Sequence, residues 1–176
     1  MEIYKLRLNC LTHYNILLLL INSYYTNLTN LYAINYNLTW IIFITFHSSV
    51  LLDNTSFERI RKKNEFTYLE FHIGNFVLHT IPCIYIYNNP PNKLDYSHST
   101  CAVLFKLLWC YISTKGTMDL SKIYIDFTRK TNICLYFIAV SSGLCIPFVF
   151  NKYYLLNWFK DILKYYIMSN NTRYYF

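Results

Sequence analysis

From Leu8 to Leu52 the chain contains no Asp, Glu, Lys or Arg. One buried helix of a soluble domain would not use so long an uncharged stretch. It is ample for two crossings of a bilayer, each of which needs about 20 mostly apolar residues. The rest of the sequence keeps the same habit: 55% of it is hydrophobic and only 14% charged, with the charges gathered in short blocks between further apolar stretches. This argues against a water-soluble domain. The expected fold class is all-α: a polytopic helical membrane protein with about five transmembrane helices and a C-terminal amphipathic helix, forming one domain over residues 1–176.

The apolar segments fall at about 9–28, 34–52 with the core TWIIFITF, 71–87, 99–113 and 131–150. The third and fourth are short for a full span. The fourth also carries Lys106, which is expected to snorkel or to face the bundle interior, because a charge at the bilayer centre is costly. Four linkers are expected: an uncharged one at 25–33, a polar loop at 53–70 holding Arg59, Arg61, Lys62 and Lys63, a loop at 88–98 broken by Pro90 and Pro91, and a mixed loop at 114–130. After them YYLLNWFKDILKYYIM, residues 153–168, reads as an amphipathic helix with Lys160, Asp161 and Lys164 on its polar side.

The net charge of +7 comes from basic residues set between apolar segments, without the aromatic interleaving of a nucleic-acid groove. Membrane lipids are the expected partners, through their headgroups, and nucleic acid and nucleotides are not. The positive-inside rule places Lys5, Arg7 and the blocks at 59–63 and 115–130 in the cytosol. Lys5 and Arg7 before a leucine run resemble a signal peptide, but no small-x-small pattern follows, so the first segment reads as an uncleaved helix. The six cysteines form no CxxC, and the five histidines form no HxxxH or HxxHH. No metal, no cofactor and no disulfide scaffold is expected from them. There is also no GxxxxGK[ST], GxGxxG or GxSxG.

Polar residues inside apolar segments are expensive, so function is sought there. The richest group is FHIGNFVLHTIP, residues 71–82. His72, Asn75 and His79 are spaced by three and four, which puts them on one stripe of an α-helix. Gly74 is expected to admit another helix closely, and Pro82 to disturb the helix one turn after His79. A second group, Cys10, Thr12, His13 and Asn15, opens the first segment. In an alternating topology the first and third segments cross in the same direction, so Thr12 and His79 share a depth. A hydroxyl and an imidazole at one depth are the minimum for an activated nucleophile attacking a lipid ester. The competing reading is a non-catalytic membrane scaffold, in which the threonine bonds its own helix and the histidine holds two helices together.

RLNCLTHYNILLLL, GNFVLHTIP with its N-x-x-x-H-T pattern, and LLWCYI at 107–112 together resemble the androgen-induced family of integral-membrane threonine hydrolases, which cleave fatty acid esters of hydroxy fatty acids. The likeness is thin, spread over most of the chain, and that of a shortened relative. In the family a further helix precedes the threonine segment. The resemblance implies an intramembrane lipid-ester hydrolase with Thr12 as nucleophile and His79 as base, located in an endomembrane such as the endoplasmic reticulum. Asn75 would orient the imidazole or donate to the oxyanion.

Overall fold

The computed structural model describes residues 11–24, 29–63, 65–120 and 128–171. Among the described residues the regular elements are all helical. They are α1 (Leu11–Tyr24), α2 (Thr29–Leu52), α3 (Asn54–Lys63), α4 (Tyr68–Asn75), a π-helical turn (Phe76–Thr80), α5 (Ile81–Asn88), α6 (Tyr96–Ser113) and α7 (Arg129–Asn171).

The bundle is organised around α2, against which α1, α5, the π turn, α6 and α7 all pack. A helix surrounded on all sides must bury side chains in every direction, and α2 buries Ala33, Asn35, Tyr36, Asn37, Leu38, Thr39, Ile41 and Ile42 almost without a gap. The core lies along it in three clusters. One end holds Leu19, Ala33, Tyr36, Cys83, Ile86 and Leu94. The middle holds Leu11, Leu38, Ile41, Ile42, Ala102, Val103 and Ala139. The far end holds Phe57, Cys110, Leu120 and Leu135, with Phe46 and Val50 of α2 against them.

These clusters fix the helix directions. Leu19 packs near the start of α2 and Leu11 further along, so α1 is antiparallel to it. His98 meets Asn30 and Cys110 packs near Phe46, so α6 is parallel. Leu135 sits near Val50 while Phe150 packs on Tyr36, with ring centroids 5.7 Å apart, so α7 is antiparallel. His79 stacks on Phe46 and Ile86 packs beside Ala33, so the α4–α5 segment is antiparallel too. The five long segments therefore alternate in direction along the chain.

The apolar segments appear as helices, with differences that have local causes. Residues 9, 10 and 25–28 of the first segment lie outside the described residues. The expected polar loop at 53–70 contains α3 instead. Arg61 Nε donates to Glu58 Oε2 at 3.0 Å, three residues back, and Phe57 is buried in the end cluster, so this charged piece has the ion pair and the apolar anchor of a short helix. No separate C-terminal helix forms either: α7 runs on through residue 171. Pro147 is buried inside it, and between Phe150 and Tyr153 there is no Gly or second Pro to stop it.

The close helix approach expected at Gly74 is not there, since a Cβ at Gly74 would meet nothing within 4 Å. It occurs at Gly143 of α7, where a Cβ would lie 2.3 Å from Val103 Cγ2 and 3.0 Å from Ile41 Cδ1. That is where α2, α6 and α7 cross.

One described helical segment, Arg129–Phe150, is by itself long and apolar enough to cross a membrane, and only 22% of its most apolar window is buried. The other segments fall short of that measure for visible reasons. As described, α1 has 14 residues; α2 carries Asn30, Asn35, Asn37, Thr39 and His47; the third segment is divided by the π turn; and α6 contains His98 and Lys106.

Candidate functional site

The π turn is a consequence of Pro82. A proline ring collides with the carbonyl four residues back and supplies no amide for it. The helix widens just before that point, and Ile81 N–H donates to the carbonyl of Phe76, five residues back. A widened turn adds one residue, which rotates everything after it by about 100° relative to an unbroken α-helix. The single stripe expected for His72, Asn75 and His79 is therefore broken. His72 is exposed and rests against Tyr68, with centroids 4.1 Å apart. Asn75 is half-buried at the entry to the turn, with no side-chain bond capping it. His79 turns inward.

The imidazole of His79 lies flat on Phe46 of α2, with centroids 3.7 Å apart and planes 6° from parallel. On its other edge Phe46 meets His47, 5.3 Å away. The titratable side chains near enough to act electrostatically on His79 are His47, Lys106 and His13, from α2, α6 and α1. Lys106 thus takes the inward alternative, half-buried, with Nζ 5.5 Å from the ring centroid of Trp109. The five histidines looked scattered in sequence, yet the fold gathers three of them. Among the described residues, no group of three His, Cys, Asp or Glu side chains could hold a metal ion.

Thr12 is 3% exposed and lies on the stripe of α1, with Leu11, Asn15, Leu19 and Asn22, that faces the bundle. The same helix packs on the π turn. Nδ1 of His79 is buried without a hydrogen-bond partner in the protein, as is Nδ1 of His13. Neither Thr12 nor Asn75 therefore bonds to that nitrogen of His79, so the imidazole is positioned by stacking on Phe46.

A polar system of which the sequence motifs singled out only Asn15 runs beside this group. Asn15 Nδ2 donates to Thr39 Oγ1 at 2.9 Å, and that hydroxyl donates to the Asn35 carbonyl at 2.8 Å. On another side of α2, Asn37 donates to Ser99 of α6. Asn22 and Asn35 are 7% and 1% exposed, and neither atom of either side-chain amide has a protein partner. The signal available in the sequence was the spacing of polar residues, Asn15 and Asn22 in one helix and Asn35 and Thr39 in the next, each pair close to a whole number of turns apart.

No family model matches the chain, and no curated protein and no solved structure matches it.

Proposed function

We propose that the chain is a multi-pass integral membrane protein whose five alternating segments cross the bilayer, and that it acts as an intramembrane lipid-ester hydrolase. The membrane reading is supported by the apolar surface left outside the bundle. Leu17 and Leu20 on α1, Phe76 and Val77 on the π turn, Leu104 and Leu108 on α6, and Phe137 and Phe148 on α7 are all exposed. A soluble protein rarely leaves so many large apolar side chains in water. Hydrocarbon is the solvent that suits it, and an endomembrane is the location this reading carries.

The observation that carries the catalytic reading is the packing of α1 on the π turn. It sets the helix bearing buried Thr12 against the turn bearing His79, whose Nδ1 has no hydrogen-bond partner in the protein. In this mechanism Thr12 Oγ attacks the acyl carbonyl and its proton passes to His79. The alcohol leaves with that proton, and water then cleaves the acyl-threonine. Asn75, half-buried at the start of the turn, is assigned to substrate contact.

A second reading, a non-catalytic scaffold, is favoured by the Asn15–Thr39 and Asn37–Ser99 bonds, which join helices and use no substrate. Labelling of membranes with a fluorophosphonate carrying a fatty chain separates the two. The hydrolase reading expects labelling of the wild type, and its loss in Thr12→Ala and in His79→Ala while expression holds. His47→Ala should retain most of the labelling. Full labelling of Thr12→Ala would remove that residue as nucleophile.

A further inference from the structure

Asn15, Leu19 and Asn22 share the buried stripe of α1. Asn35 and Thr39 are four apart on α2, and the Asn15–Thr39 bond sets the register between the two helices. Because the helices are antiparallel, the height of each side chain above that bond follows from a rise of about 1.5 Å per residue. Asn35 stands about 6 Å above it and Asn22 about 10.5 Å, so the two amides are roughly 4.5 Å apart in height, within the reach of one or two bridging water molecules. Simple helix-to-helix glue would require these amides to bond across the interface, as Asn15 and Thr39 do. The side-chain amides of Asn22 and Asn35 bond to nothing in the protein, although both residues are more than nine-tenths buried. Two primary amides left wholly unpaired in an apolar bundle would be strongly unfavourable. Each offers donors and an acceptor and carries no charge, which matches water rather than an ion.

We propose that the seam between α1 and α2 binds a short file of water molecules, held by Asn22 and Asn35 and ending at the Asn15–Thr39 pair. Thr12 lies one turn beyond Asn15 on the same stripe. Resting on the hydrolase reading above, the file supplies the second substrate. A water oxygen bonds to the acyl carbon of the Thr12 ester and the bond from that carbon to Thr12 Oγ breaks. The fatty acid departs, and the proton taken up by His79 from water passes to Thr12 Oγ.

X-ray radiolysis of the full chain in lipid nanodiscs made up in ¹⁸O-water tests the seam directly, since side chains touching bound water acquire the label. Leu19, buried beside the amides, should be labelled several-fold more than Ile42, equally inaccessible in the apolar middle cluster. Equal labelling of the two would overturn the proposal. Asn22→Leu combined with Asn35→Leu should abolish the excess at Leu19 without lowering the melting temperature, because apolar groups then replace unpaired polar ones. Persistence of the excess in that variant would also overturn it. Thr12→Ala should leave the Leu19 label intact, so failure of the hydrolase reading and failure of the water file are separate results.

Discussion

At Gly143 the missing side chain is what lets α7 approach Val103 and Ile41, and at Gly74 the same residue type meets nothing. Opposite outcomes follow for the same substitution. Gly143→Ala forces a methyl into a filled crossing, where overpacking costs about 1–3 kcal/mol. Alanine's better helix propensity returns about 1 kcal/mol of that. The net expectation is a lowered melting temperature in detergent. Gly74→Ala gains the propensity at no steric cost and should raise it or leave it unchanged. Equal melting of the two variants would contradict the crossing. The sequence could not rank these glycines, since both sit in apolar helical stretches and only the tertiary fold decides which one has a neighbour. The same limit applied to the histidines. His79 was singled out by the depth it shares with Thr12, but its stacking on Phe46 and its proximity to His13 and Lys106 depend on four helical elements coming together.

At the scale of elements, charge-free length located the helices well because it follows a physical requirement on long apolar segments. Segments 34–52 and 99–113 correspond to α2 and α6 within a few residues at their starts and end where those helices end. Residue patterns of shorter range were less visible. The π turn required noticing that Pro82 could act upstream, and α3 was hidden by the assumption that a charged stretch is a loop. Caps were a missed signal at both charged junctions. Thr67 and Glu70 form a capping box at α4, and Asp95 and His98 form another at α6.

The Asp95 cap makes a pH prediction. The Ser97 hydroxyl, first, and then the backbone amide of His98 hold the Asp95 carboxyl down at about 2, from an ordinary value of 3.8. The ionised cap therefore supports α6 fully above the ordinary value, and the support is lost as pH falls through about 2. Amide protection in the first turn of α6, corrected for intrinsic exchange, should decline over that interval in the wild type. It should be weaker and flat across the same interval in Asp95→Ala, because serine, asparagine and aspartate caps lose their acceptor when cut to alanine.

For the whole molecule, the proposed multi-pass arrangement predicts that the chain stays with the membrane fraction after alkaline carbonate washing. Recovery as a soluble monomer would defeat it. The alternation of directions also brings α3 and the α6–α7 connection to one end of the bundle, where Phe57, Leu120 and Leu135 share a cluster. Arg59, Arg61, Lys62, Lys63, Lys115, Arg129 and Lys130 belong to that end and outnumber its acidic residues Asp53, Glu58, Glu65, Glu70 and Asp119, while the opposite end carries Lys93 paired with Asp95 at 3.6 Å. Basic residues are retained on the cytosolic side. A glycan acceptor engineered beside Glu65 should thus stay unmodified in microsomes, and one placed beside Lys93 should be modified. The reverse pattern would invert the orientation. The lopsided ends have a further consequence in any membrane that holds a voltage. Each elementary charge carried across the full potential involves about 2.3 kcal/mol per 100 mV. A negative cytosolic face therefore favours the basic end electrically as well as during insertion, and turning the bundle over would require work against the field for every unbalanced charge.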